Sequence, residues 1–520
     1  MRLKFLILLP VALIAQQPDT TQIRFSKYVT AEGMKKNLSV LASDEYEGRE
    51  TGQKGQKMSA EYIKKYYQDL GIKPYPSLKL KDGYMQQFPL AVFNPQEVKI
   101  SSGKKTYAAN ADYFMFANTI GDTTIDLRSI EFCGYGINTF VYNDYDGLDV
   151  KGKAVMVLDG DPIKADGTSM ISQSTEQSVW ATNFRTKQVE AKKQGVSILF
   201  IADKTLQNSY SKFEHRINST RMSIDSKNEP SYPLIVYIST EMADEILASS
   251  KTKCKEIAAM ITKSTKPERF TINTPLNFNI TQKKYGISAE NVMAFVEGTD
   301  LRDEVIVISA HYDHLGIHDG KVYNGADDDG SGTVAVMQLA KAFTEARNQG
   351  KGPRRSILFL NVSGEEKGLL GSEYYSENPV IELKQTVCDL NIDMIGRLDD
   401  DHKKNSNYIY LIGSDKLSKD LHNISEKANK TYTNIELDYK YNDENEPNRY
   451  YYRSDHYNFA KNGVPVIFYF NGVHEDYHQE TDEISKIDFQ KMEKITRLVF
   501  FTAWEVANRT ERLKIDSSKK

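Results

Sequence analysis

The sequence predicts an α/β fold, with a mixed central β-sheet flanked by helices on both faces and a smaller, mostly β domain inserted into it. Three observations lead there. Past residue 289, short apolar β-branched runs alternate with helix-periodic segments, the pattern of a sheet covered on both faces. Between about residues 128 and 272 that alternation gives way to strand-like runs with one helix fragment. At 520 residues the chain is too long for one hydrophobic core, so several domains are expected.

Taken from its start, the chain opens with MRLKFLILLPVALIA, where Arg2 and Lys4 precede an apolar run. That is the layout of a secretory signal over residues 1–15, too short to span a bilayer, and it predicts a secreted or periplasmic protein. Residues 24–127 form the first part of the main domain. Met34, Leu38 and Leu41, then Ala60, Ile63, Tyr67 and Leu70, recur at helix spacing on either side of SDEYEGRETGQKG, a polar stretch expected to be a loop. Residues 83–126 are expected to form short strands and turns.

The insert, 128–272, opens with EFCGYGI and YDGLDVKGKAVMVLDGDP, where Gly152 and Gly160 flank a strand at 154–158. A helix is expected at 187–195 and a strand at 197–202. The Thr-, Lys- and Pro-rich stretch 263–278 is expected to be the linker that leaves it. The remainder, 273–512, carries expected strands at 291–296, 305–309, 357–362, 387–392, 408–412 and 465–470. Helices are expected at 333–347, 368–376, 416–430, 455–462 and 489–508.

Composition narrows the partners. A net charge of −4 draws neither nucleic acid nor an anionic membrane to the surface as a whole. No stretch after the leader approaches the length of a membrane span. The three cysteines, Cys133, Cys254 and Cys388, are too few and too widely spaced for a disulfide framework or a thiolate metal site, and are expected to be small buried hydrophobes.

The chemistry lies at the strand ends. VIVISAHYDHLG carries His311 and Asp313 just past a strand, and NGADDDGSG follows with three successive aspartates before a helix. The next strands end in Ser363-Gly364-Glu365-Glu366 and Asp393-Met394-Ile395-Gly396; Arg453-Ser454-Asp455-His456 precedes a helix; and the last strand is followed by Tyr477-His478. In an open α/β sheet, the carboxyl ends of strands are where ligands gather. Imidazole and carboxylate without thiolate suit Zn²⁺ or a similar ion. A carboxylate bridging two such ions would let one hold a hydroxide while the other polarises a carbonyl. Of two adjacent glutamates, one can bind metal while the other serves as general base.

SAHYDHLG, NGADDDGSG, SGEEKGLLGS, NIDMIG, RSDH and YHQETDE, in this order, resemble the M28 family of zinc metallopeptidases, closely over about residues 275–510. LASDEYEGRETGQKG is similar to the N-terminal part of the same catalytic domain, and residues of about 128–272 resemble a protease-associated domain. The resemblance implies a zinc-peptidase α/β/α sandwich with two Zn²⁺ ions per chain: His311 and Asp393 on one, Glu366 and His478 on the other, and Asp327 bridging both. It implies Glu365 as general base, Asp313 as the carboxylate that orients His311, Tyr477 as a hydrogen-bond donor to the tetrahedral intermediate, and Arg453 as a substrate contact. It also implies a cis peptide between Asp327 and Asp328. The activity implied is that of an exported aminopeptidase acting on peptides with a free N-terminus through a metal-bridging water. Two rivals stand beside it: a carboxypeptidase or dipeptidase of the same superfamily, which would share every ligand, and a catalytically inactive binding protein, against which the presence of all five ligands and the base weighs. The other histidines, among them His314, His318, His402 and His474, are expected at the surface or behind the site.

Overall fold

The computed structural model describes residues 20–74, 82–116, 118–225, 233–444 and 446–516, so the leader expected over residues 1–15 lies outside it. By its contacts the chain divides into two units, one built from residues up to Phe88 and from Ser288 onward, the other from Pro89–Ile287.

In the first unit the apolar runs form strands β1 (Lys284–Val296), β2 (Leu301–His311), β3 (Arg355–Val362), β4 (Thr386–Ile392), β5 (Tyr408–Ile412), β6 (Glu436–Asp438) and β7 (Val466–Phe470). They lie side by side in the order β6-β5-β7-β4-β2-β3-β1. Strand β2 runs parallel to both β3 and β4, and β4 parallel to β7, so four carboxyl ends open on one edge. Antiparallel β1 and β5 flank them, which makes the sheet mixed.

The helices of this unit are α1 (Thr20–Ser26), α2 (Ala31–Leu41), α3 (Lys54–Asp69), α4 (Gly330–Asn348), α5 (Leu370–Glu377), α6 (Lys419–Ala428), α7 (His456–Ala460) and α8 (Phe489–Asn508). Alternation along β2 explains why both sheet faces need cover. Ile306, Ile308 and Ala310 join the cluster that holds Phe343 of α4 and Phe500 and Trp504 of α8. Val305 and Val307 point the other way, into a cluster with Tyr375 of α5 and Phe459 of α7. Each such side chain fully removed from water contributes about 1.5–3 kcal/mol. Among the described residues no helix is long and apolar enough to cross a membrane.

The second unit has its own eight-stranded sheet. Its centre is Thr123–Cys133, Ala154–Leu158, Ile198–Asp203 and Leu234–Ser239, successive neighbours that run parallel. The boundaries differ from those the sequence suggested. Glu97–Ser102 and Thr123–Cys133 both pair with Arg269–Thr281, so the unit starts near Pro89 and ends near Ile287. The stretch expected to be an exit linker is therefore a strand. Ile272, Leu276, Phe278 and Ile280 are buried along it, and the register shifts between Asn273 and Leu276, which accommodates Pro275 in the ladder. Helices at Phe184–Lys193, Leu206–Ile217, Thr240–Leu247 and Cys254–Ser264 add more helix than the sequence pattern suggested. All three cysteines are buried and unpaired.

Candidate metal centre

The four carboxyl ends carry the predicted residues to one place. His311 is the last residue of β2 and lies opposite Val362, the last residue of β3, beyond which come Glu365 and Glu366. Asp393 directly follows β4, and Tyr477 and His478 lie in the loop after β7. The acidic loop enters from the N-terminus of α4, where Asp329 caps the helix by accepting from the Gly332 amide at 2.8 Å.

Two groups of donors result, joined by one carboxylate. His311 Nε2 lies 3.4 Å from Asp328 Oδ1 and 3.8 Å from both Asp393 Oδ1 and Glu365 Oε2. His478 Nε2 lies 3.2 Å from Asp328 Oδ2 and 3.2 Å from Glu366 Oε2. Asp328 thus presents one oxygen to each histidine. It is Asp328, and not the expected Asp327, whose carboxylate lies between the two histidines. Asp327 Oδ1 accepts from the Gly396 amide at 2.6 Å, and its Oδ2 faces His474 Nε2 at 3.3 Å. The cis peptide is displaced by one residue as well, to Asp328–Asp329. Asp329 comes near His311 and Asp393, but its Oδ1 also accepts from the Met394 amide at 3.0 Å, and burial holds its carboxyl towards the neutral form.

Behind these atoms the supports are specific. His311 Nδ1 lies 3.0 Å from the backbone oxygen of Asp313 but 3.7 Å from its carboxylate, so the carbonyl orients the ring and leaves Nε2 facing the centre. The Asp313 carboxylate instead accepts from Thr51 Oγ1 at 2.6 Å and from the Glu365 amide at 3.2 Å. Ser454 Oγ donates to Asp393 Oδ2 at 2.7 Å and in turn accepts from Asn391 Nδ2 at 2.9 Å.

The polar stretch after α2 turns out to be part of the site. Arg49 is 1% exposed, and its guanidinium donates to the backbone oxygens of Leu41, Tyr312, Asn324 and Gly325. Glu50 accepts from Lys367 at 2.9 Å, beside Glu366. The signal available in the sequence was an Arg-Glu-Thr run amid glycines, which by itself does not distinguish a clamp from a solvated loop.

The electrostatics reflect carboxylates and imidazoles crowded together away from water. Burial alone would lower His478, yet its contacts with Asp328 and Glu366 overcome that and raise it to about 10. Burial would raise Glu366, but the two histidines beside it, His314 and His478, hold it near 2. Glu365 behaves differently: burial, reinforced by Glu366, Asp455 and Asp393, pushes its carboxyl well above the usual range.

A cleft opens over Asp328, Glu365, Asp393 and His478. Met394, Phe468, Phe470 and Val473 supply an apolar wall. Tyr450, Arg453 and Tyr477 also line it; the Arg453 guanidinium sits 5.0 Å over the Tyr450 ring and donates to the Tyr477 hydroxyl at 3.2 Å. The structure therefore brings together His311, Asp328, Glu365, Glu366, Asp393, Arg453, Tyr477 and His478, with Asp313 behind them. Of the two places expected for His314, at the surface or behind the site, the structure gives the second: it is fully buried against this group.

Residues 291–503 match peptidase family M28. The chain is 28% identical to a probable leucine aminopeptidase of Arthroderma benhamiae, over 42% of this chain and 57% of the relative. It is 33% identical to a probable glutamate carboxypeptidase of Arabidopsis thaliana, over 20% of this chain and 14% of that protein. The chain thus spans less than two thirds of the length of these curated relatives. Its fold is similar to that of the aminopeptidase from Aneurinibacillus sp. strain AM-1, with a TM-score of 0.52 at 18% identity, covering 95% of this chain and 98% of the other.

Proposed function

Because the chain belongs to peptidase family M28, we propose that it is a zinc metallopeptidase that hydrolyses the N-terminal peptide bond of peptides. The observation that carries the reading is Asp328, whose two oxygens face His311 on one side and His478 on the other. The donor set fits zinc: imidazole nitrogens and carboxylate oxygens, several of them buried and lacking hydrogen-bond partners, as the Asp328 Oδ2 and Glu366 Oε1 atoms are. His311, Asp328 and Asp393 would hold one ion, and Asp328, Glu366 and His478 the other. Bound there, zinc would polarise the scissile carbonyl and acidify the attacking water.

The chain's own groups do the rest. Glu365 Oε2 stands 3.8 Å from His311 Nε2, unclaimed by the opposite histidine, and takes the proton from the attacking water. It then hands that proton to the leaving amine. The Tyr477 hydroxyl donates to the oxygen on which charge develops, and Arg453 fixes that hydroxyl. The apolar wall receives the side chain of the N-terminal residue.

The aminopeptidase direction draws on the likeness to the leucine aminopeptidase relative. One observation favours a second reading, a carboxypeptidase or dipeptidase: Arg453 places a guanidinium in the cleft, where a substrate carboxylate would pair with it, and a glutamate carboxypeptidase is among the relatives. Export follows from the leader-like residues 1–15, and the Pro89–Ile287 unit, part of which resembles a protease-associated domain, would be accessory.

Three measurements test these statements. Metal analysis of the saturated protein should find about two zinc ions per chain. Glu365→Gln should keep the metal and lower turnover by roughly 10²–10⁴-fold; an active variant removes the proposed base. Peptides with a blocked N-terminus should resist cleavage, whereas cleavage of those peptides and resistance of C-terminal amides would establish the second reading.

A further inference from the structure

We propose that Ser309 and Asn391 are positioning residues for this centre. With Ser454 they form a buried, one-way hydrogen-bond chain that starts on the acid proton of Asp389 and ends on Asp393. The inference rests on the reading of Asp393 as a zinc ligand and deepens it.

The chain lies along two neighbouring parallel strands. Ser309 of β2 stands opposite Asn391 of β4, and Val307 opposite Asp389. Paired positions share a face of the sheet, so Asp389 and Asn391 point to the side on which Val305 and Val307 meet Tyr375 and Phe459. Ser309, Asp389 and Asn391 are 0% exposed and Ser454 is 1% exposed, so these side chains must satisfy one another.

Four contacts link the five side chains. Ser309 Oγ lies 2.7 Å from Asp389 Oδ1 and 2.9 Å from Asn391 Oδ1. Asn391 Nδ2 lies 2.9 Å from Ser454 Oγ, which lies 2.7 Å from Asp393 Oδ2. All four are hydrogen-bond separations, and each needs its own proton. The two hydroxyls and the Asn391 amide supply three between them. Turning the amide over leaves the count unchanged and only moves the deficit from Ser309 to Ser454. The fourth proton therefore belongs to one of the carboxyls at the ends. Asp393 faces the cleft, and a carboxyl that holds an ion must be ionised. That leaves Asp389.

The surroundings of Asp389 agree. Among the described residues Ser309 is the hydrogen-bond partner of its carboxyl, and Oδ2 has none. A buried anion with a single neutral donor is far more costly than a neutral acid in the same place. Burial pushes this carboxyl well above the usual range; the Ser309 bond offsets only part of that, and Asp455 adds to it.

With the proton on Asp389, every member donates towards the centre. Ser309 is free to donate to Asn391 Oδ1, which fixes the amide with Nδ2 towards Ser454. Ser454 then occupies Asp393 Oδ2, and Oδ1 is left 3.8 Å from His311 Nε2. An ionised Asp389 would take the Ser309 proton for itself and free the amide to turn. The chain thus selects which oxygen Asp393 offers to an ion and puts no second negative charge behind it.

The test uses the full chain loaded with zinc at about pH 8, where ordinary carboxyls are ionised. Infrared difference spectra against Asp389→Asn should show the carbonyl band of a protonated carboxyl that the variant lacks. Loss of a carboxylate band instead overturns the proposal. An Asp389→Asn variant that fails to fold also counts against it, since one neutral donor has replaced another. Ser309→Ala, which breaks the chain, and Asn391→Asp, which keeps the shape but removes the N–H, should each lower zinc affinity and turnover by about 10–100-fold, with KM nearly constant. Unchanged affinity and turnover in both would show that the chain does not position Asp393. Should those variants not fold, the infrared difference decides. Failure of the unaltered protein to bind zinc overturns the metallopeptidase reading instead, and the infrared band still reports the proton on Asp389.

Discussion

Both units end parallel strands in carboxylates, and they treat them in opposite ways. In the Pro89–Ile287 unit, the strand Ala154–Leu158 runs into Asp159 and Asp161, and the neighbouring strand ends in Asp203. Asp161 accepts from the Ser178 amide and Ser178 Oγ, each at 2.7 Å, and from Ser169 Oγ at 3.0 Å. Asp203 accepts from the Thr205 amide and hydroxyl at 2.7 and 3.1 Å. The buried Lys187 ammonium donates to the backbone oxygens of Leu158 and Gly160, each at 2.8 Å, within reach of the charges on Asp159, Asp144 and Asp161. At the carboxyl edge of the main sheet, Asp328 faces His311 at 3.4 Å and His478 at 3.2 Å, and Glu366 faces His314 at 2.9 Å and His478 at 3.2 Å. An acidic strand end is therefore not a site in itself. What marks a candidate site is that buried carboxylates and imidazoles from several strand ends face one another.

The largest test of that contrast lies within the acidic loop. Asp328→Asn removes the one carboxylate that faces both histidines; it should cost both ions and lower turnover by roughly 10³-fold or more. Asp327→Asn keeps an oxygen for the Gly396 amide and should retain both ions, with changes in affinity no larger than about 10–100-fold. Metal content after gel filtration reads both variants. The reverse ranking would return the bridge to Asp327.

A smaller effect is expected one layer back. Thr51→Val removes the 2.6 Å hydrogen bond to Asp313, whose other oxygen steadies the amide of Glu365. Turnover should fall by about 10–100-fold with KM nearly constant, and Thr51→Ser should restore it. A loss that Ser does not rescue would mean that Thr51 acts through packing of its methyl group.

How far the sequence carried is explained by the same contrast. Strand and helix positions in the main unit were legible because long β-branched runs and helix-spaced apolar residues leave few alternatives. Glu365, Glu366, Asp393 and His478 were legible because each stands just past such a run. Within Asp327-Asp328-Asp329 no pattern separates the three, since which carboxylate faces the centre depends on partners as distant as Gly396 and His478. For His314 the sequence left the surface and a place behind the site both open, because the contacts that bury it, with Arg49 and Gly325, are made across the fold. The strand Arg269–Thr281 was missed because Thr, Asn and a central Pro mask its alternation.

The insert offers the complementary test, with no expected effect on turnover. Burial lowers the Lys187 ammonium to about 8, although Asp159, Asp144 and Asp161 oppose the shift. Between about pH 8 and the free value of 10.5 the unfolded chain therefore binds more protons at this group than the folded one. Stability should rise with pH across that window, by at most about 3 kcal/mol from this residue. Below it, both states carry the proton and the contribution is flat. Tyrosines titrate nearby, so the useful quantity is the difference from Lys187→Met. Urea midpoints at pH 7.5, 9 and 10 should diverge, the unaltered protein gaining on the variant, while turnover per folded molecule stays equal in the two. Parallel midpoints would show that the ammonium in the insert is fully compensated by its aspartates, and an altered turnover would show that the insert's charges reach the catalytic edge after all.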